Sequence, residues 1–271
     1  MADFVQPELR TPRPYPGFLR AIGLCLMIVL LVGIAIETTK VLHLKPPPAV
    51  LLAIVNTLAV GIVVAWGVRS SGAGWREVLP LRLFSPWLLP PMLLSVAGLL
   101  IVSVGWLQVQ EKFLPTPKWV ERVLQEILAG GLFSYVLLCV IAPITEECLV
   151  RGLFLRGFWL RYGATRAVVY SSLLFSALHM NLGQLMPTLL LGSLFAWWRL
   201  RTHSLLPGML GHALNNAVPV ILVLLVHVPK DPPRSSPLAQ VVSVCLGLAL
   251  LAVGVLWMKR ETAMPISSSS S

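Results

Sequence analysis

Charge is scarce in this sequence. Only 12% of its 271 residues are Asp, Glu, Lys or Arg, about half the share usual in soluble domains. That scarcity excludes a disordered, strongly solvated chain and leaves too little polar surface for a water-soluble globule. Cysteine is scarce as well. Cys25, Cys139, Cys148 and Cys245 all lie inside apolar stretches, with no CxxC spacing. A disulfide framework or zinc ribbon does not fit that pattern, and buried thiols do. Acidic residues are the rarer sign, 11 against 21 Lys and Arg, for a net charge of +10. The basic residues are spread between apolar runs rather than gathered on one face. The excess therefore reads as membrane topology, not as nucleic-acid binding. The N-terminus does not read as a cleavable signal peptide: the leader carries Pro7, Pro12, Pro14 and Pro16, and no small-residue cleavage site closes the first apolar run, which is expected to stay as a transmembrane anchor.

What the chain does have is length in apolar runs. It is 56% hydrophobic, with a mean hydropathy of +0.82. A bilayer core about 30 Å thick takes roughly 20 apolar residues per helix. Uncharged stretches lie between Arg20 and Glu37, Lys45 and Arg69, Arg82 and Glu111, Glu126 and Glu146, Arg166 and Arg199, Arg201 and Lys230, and Arg234 and Lys259. The stretch ending at Trp198 is too long for one span, and Asn181-Leu182-Gly183-Gln184 inside it is a turn signal. Splitting it there predicts an all-α polytopic membrane bundle of about eight transmembrane segments. The expected organisation is a polar leader over 1–19, a single membrane bundle over 20–260 with its chemical core at about 130–220, and a polar Ser-rich tail over 261–271. Trp66, Trp106, Trp159, Trp197, Trp198 and Trp257 fall near proposed helix ends, as an interfacial aromatic belt would. With the N-terminus inside, 14 Lys and Arg fall on the inner side and 7 on the outer. That bias predicts an integral, multi-pass protein of the bacterial inner membrane with both termini cytoplasmic. Thr116-Pro117 reads as an N-cap followed by Pro at N1, opening either an amphipathic interfacial helix to Leu128 or an early extension of the fourth span.

Two acidic residues fall where apolar ones are expected. Each carboxylate of Glu146 and Glu147 costs about 2.5–3.5 kcal/mol at membrane depth on insertion scales, so the pair needs partners or a function. Glu147 and Arg151 are i, i+4, about 40° apart on a helical wheel, with the acid N-terminal to the base. Glu146 is about 140° from Arg151 and must find another partner. Pro143 removes a backbone donor and can open the helix beside Glu146. Phe175 and His179 share a face of the next helix, and His212 and Asn216 share a face of a later one. Counting outward from a turn at Tyr162-Gly163-Ala164 puts Glu146 and His179 at matched depth.

The ordered set Glu146-Glu147-x-x-x-Arg151, Phe175-x-x-x-His179 and His212-x-x-x-Asn216 resembles the CAAX prenyl endopeptidase and bacteriocin-processing (CPBP/Abi) family. The resemblance covers roughly residues 130–220. It implies an eight-helix membrane bundle and a glutamic-type intramembrane endopeptidase. Carried over by position, Glu146 activates the attacking water with His179, and His212 and Asn216 stabilise the oxyanion or help hold the water. Glu147 and Arg151 support the site, together with Phe175. The implied partners are the lipid bilayer and a membrane-associated protein or peptide substrate, with no nucleic acid.

Hydrolysis of a peptide bond needs a base for water, donors where negative charge develops and an acid for the leaving amine, and these side chains can supply all three. No cofactor is called for. Two His and one Glu can alternatively hold zinc, although HExxH is absent. Two further readings stand beside the peptidase: a proton-coupled transporter using Glu146, His179 and His212 as a relay, and a non-catalytic membrane scaffold or immunity protein.

Overall fold

In hydrocarbon a backbone must satisfy its own polar groups, which for apolar runs of this length means helices. The computed structural model describes residues 13–43, 48–118, 121, 125, 129–225 and 236–263. Among the described residues it holds no strand and eight helices of 15 residues or more. They are α1 (Phe18–Val41), α2 (Pro48–Ser71), α3 (Leu89–Phe113), α4 (Gly131–Tyr162), α5 (Ala164–Leu178), α6 (Leu185–Thr202), α7 (Leu206–Leu225) and α8 (Pro237–Glu261). Five of these regions, α1 to α4 and α8, are long and apolar enough to cross a membrane by length and composition. The chain is an all-α polytopic membrane bundle. The expected interfacial helix over 117–128 lies largely outside the described residues, as does the Ser-rich end of the tail.

The turns fall where the sequence places them. Gly163 separates α4 from α5 with φ of 82°, a left-handed conformation that glycine adopts without steric penalty. Asn181 opens the second break, its side-chain oxygen accepting from the Gly183 N–H at 3.0 Å. The fourth span runs 32 residues from Gly131 to the expected turn after Tyr162, so Glu146 and Glu147 sit at its midpoint. The helix continues through the charges because Arg151 neutralises Glu147 within it.

Small residues let these helices approach closely, as is general where lipid offers no hydrophobic drive for association. A Cβ on Gly98 of α3 would lie 2.5 Å from the Gly247 carbonyl of α8. A Cβ on Gly192 of α6 would meet the Ser172 Cα of α5 at 3.1 Å. Phe154, Phe158, Phe175, Phe195 and Trp198 are fully buried at the centre. Leu26, Leu30 and Ile34 of α1 and Val241, Val242 and Leu246 of α8 point outward, the pattern of a lipid-facing surface rather than a water-facing one.

The Lys/Arg asymmetry gives the expected orientation. A reporter fused after α8 should read cytoplasmic, and one inserted between α1 and α2, near Lys40 and Lys45, should read the opposite side. The same signal from both insertions would contradict this arrangement.

Candidate active site

Helix α4 carries the site, and its own hydrogen bonding is irregular on both sides of the glutamates. Residues 137–141 and 148–154 are π-helical, a widening that recurs at functional positions. The first stretch has a traceable cause. The Ala142 N–H reaches five residues back to the Leu137 carbonyl. The donor due at the Leu138 carbonyl in that register is residue 143, which is proline and has no N–H. Asn216 of α7 fills the place, its Nδ2 donating to the Leu138 carbonyl at 2.9 Å. Asn216 Oδ1 in turn accepts from Asn215 Nδ2 at 3.2 Å. One side chain thus ties α7 to the opened turn of α4 just before the glutamates.

That interpretation predicts a coupling. Asn216→Ala leaves the Leu138 carbonyl unpaired, at a cost of about 1–3 kcal/mol for a buried acceptor. In a Pro143→Ala background the restored N–H can serve the carbonyl, so the same change should cost markedly less. Thermal unfolding of the four proteins in detergent reads the cycle. Additive losses would show that the two residues act independently.

Glu147 is fully buried and Arg151 nearly so, with Arg151 Nη1 3.0 Å from Glu147 Oε1. Arg151 Nη2 donates to the Gly192 carbonyl of α6 at 3.3 Å. Its guanidinium lies 4.3 Å from the Phe175 ring centroid and 5.7 Å from that of Phe195, within reach of the ring quadrupoles. The same Glu147 oxygen faces His212 Nδ1 at 3.3 Å. A carboxylate can only accept, so Nδ1 carries the proton in this contact. In the neutral ring, Nε2 then holds the lone pair. That Nε2 lies 3.9 Å from Glu146 Oε2, beyond direct hydrogen bonding. His212 is therefore held between two adjacent carboxylates of different character. Glu147 is sealed and paired with Arg151, whereas Glu146 is 28% exposed; the Oε2 of each is buried and makes no hydrogen bond.

His179 stands at the C-terminal end of α5 and is half-buried. Its Nδ1 donates to the Phe175 carbonyl at 2.9 Å, which leaves Nε2 as the free position of the neutral ring. Among the described residues no hydrogen bond or ion pair joins Glu146 to His179, and the histidine against Glu146 is His212. The two histidines instead share Phe175, whose ring is edge-on to His179 at 4.9 Å and to His212 at 5.7 Å.

Three groups at the site were missed by sequence reasoning. Phe195 packs on His212 with centroids 5.7 Å apart, and nothing in its local sequence marks it. Gly192 contributes only a carbonyl. Gly208 was findable, because it precedes His212 and Asn216 by four and eight residues on one face of α7. A Cβ there would come within 2.7 Å of Glu147 Oε2, so glycine makes room for the buried carboxylate. No group of three or more His, Cys, Asp and Glu with the geometry to hold a metal ion occurs among the described residues. Glu147 is already committed to Arg151, which weakens it as a ligand.

With this geometry in view, the comparison with known families is specific. Residues 128–218 match the family model described as type II CAAX prenyl endopeptidase Rce1-like. The match spans about a third of the chain and takes in every residue of the site. This Rce1-like region agrees with the family indicated by the ordered motifs. No curated protein and no solved structure matches the chain.

Proposed function

We propose that this Rce1-like membrane protein is an intramembrane endopeptidase that hydrolyses a peptide bond of a membrane-associated protein or peptide. One observation carries the reading: an unpaired Glu146 oxygen faces His212 Nε2 at 3.9 Å, beside a carboxylate already paired with arginine. In the proposed reaction Glu146 takes a proton from water as its oxygen attacks the carbonyl carbon. The negative charge that develops on the carbonyl oxygen is met by the uncommitted amide hydrogen of Asn216, while the Nε2 lone pairs of His212 and His179 accept from the attacking water. As the C–N bond breaks, the proton held by Glu146 passes to the leaving amine. The products are one new carboxyl terminus and one new amine, with water consumed and no cofactor required.

In this scheme Glu147 and Arg151 set the position of His212, and Phe175 spaces the two histidines. Asn216 has one amide hydrogen committed to Leu138, so any part it takes in oxyanion stabilisation uses the remaining one. Substrate entry is from the membrane, and the orientation proposed for the chain puts both termini in the cytoplasm.

Enrichment of protein termini from membranes of cells carrying the wild-type chain or Glu146→Gln tests the reading. The expected result is a precursor that accumulates uncleaved in the variant. Identical termini in the two samples, together with proton flux through wild-type proteoliposomes, would replace the peptidase with the transporter reading.

A further inference from the structure

The arginine-rich end of the bundle contains a cavity that the proposed chemistry does not use. It measures about 750 Å³ and lies between the segment before α1, α1 itself, the end of α2 and the end of α4. Arg161 follows Glu147 by 14 residues on α4, about 20 Å along the helix at 1.5 Å per residue. The cavity is therefore remote from the candidate active site. Arg13, Arg20 and Arg161 line it, and Leu24, Met27 and Trp66 form an apolar wall.

Three features make this more than a basic patch. The backbone around the arginines is tied down: the Arg13 N–H donates to the Ser71 carbonyl at 2.7 Å, and the Phe18 N–H to the Tyr162 hydroxyl at 3.1 Å. Among the described residues no carboxylate pairs with any of the three guanidiniums. Like charges are thus held together around a concavity without a counter-charge from these residues. The cavity is also amphiphilic along the bundle axis. Its wall continues into α1 and α2, where Leu26, Leu30 and Ile62 are exposed as lipid-facing side chains, and Trp66 is half exposed at the level of an interfacial ring.

We propose that this cavity binds an anionic phospholipid, its phosphoryl headgroup among Arg13, Arg20 and Arg161 and an acyl chain along Leu24, Met27 and Trp66. A phosphoryl group supplies acceptors that match guanidinium donors, and basic pockets between membrane helices favour anionic headgroups. The apolar wall distinguishes such a lipid from a soluble phosphate.

The test uses the full-length protein purified in detergent, with native mass spectrometry reading retained lipid. Phosphatidylglycerol should be retained in preference to phosphatidylcholine of the same chains. The double variant Arg20→Gln/Arg161→Gln should lower retention of phosphatidylglycerol about 30-fold, from about 1 kcal/mol per basic residue near the headgroup. Gly23→Leu gives an independent steric arm. A Cβ at Gly23 meets nothing within 4 Å, and leucine is the better helix former. The added side chain projects into the cavity and should reduce retention with the arginines intact. Glycerol 3-phosphate, which has the headgroup chemistry but no chains, should fail to displace the lipid at equal concentration. Equal retention of the two lipids, unchanged retention in Gly23→Leu, or full displacement by glycerol 3-phosphate would overturn the proposal. None of these readouts depends on peptidase activity.

Discussion

Glu146→Gln is expected to reach wild-type abundance in the membrane and to lose cleavage. The amide keeps the size of the side chain and its capacity to accept a hydrogen bond, but it cannot take a proton from water. Removing a general base lowers a rate by about 10²–10⁴-fold. Here the same group is proposed to generate the nucleophile, so the loss should fall at or beyond the upper end. Folding should be unaffected, because Glu146 Oε2 makes no hydrogen bond that the substitution would break. The His212 Nε2 that faces it is 3.9 Å away, too far for a hydrogen bond. Activity measured against abundance in the same membranes separates the two effects.

Glu147→Ala is expected to fail in the opposite way. Arg151 is 1% exposed, and without Glu147 its charge would remain buried against the Gly192 carbonyl and the faces of Phe175 and Phe195 with its i, i+4 partner gone. Breaking a buried pair from one side costs about 3–5 kcal/mol. His212 loses the carboxylate that orients its Nδ1 at the same time. Low membrane abundance and a lowered unfolding temperature should result. Replacing both partners, as Glu147→Gln with Arg151→Met, removes the stranded charge and should restore much of the abundance without restoring cleavage. If Glu147→Ala alone is as stable as the wild type, the pair does not hold the site together.

These two adjacent residues also show how far the sequence could be read. The spacing of Glu147 to Arg151 on a regular helix predicted their pairing, because an i, i+4 contact is local and depends only on helix geometry. The breaks at Gly163 and at 181–184 were legible for the same reason, since turn chemistry is written in the residues that make the turn. Contacts between helices were less legible: counting from the turn gave no sign that His212, from a later helix, is the histidine against Glu146, and nothing in Cys148–Phe154 announces its π-helical turns. Pro143 did announce a disturbance in α4, but not that Asn216 would supply the missing donor from another helix. Phe195 and the Gly192 carbonyl are contributed by packing alone. The Rce1-like match covers the region where the motifs lie and extends no further into the bundle, as expected when the flanking spans are constrained by lipid rather than by chemistry.

The central claim is that two neighbouring carboxylates on α4 are divided between chemistry and structure. It is tested most directly by measuring unfolding temperature and cleavage rate for Glu146→Gln and Glu147→Ala side by side, in one detergent and against one membrane-tethered substrate. The prediction is a stable, inactive Glu146→Gln protein and a destabilised Glu147→Ala protein. Cleavage by Glu146→Gln at a rate near that of the wild type would contradict it.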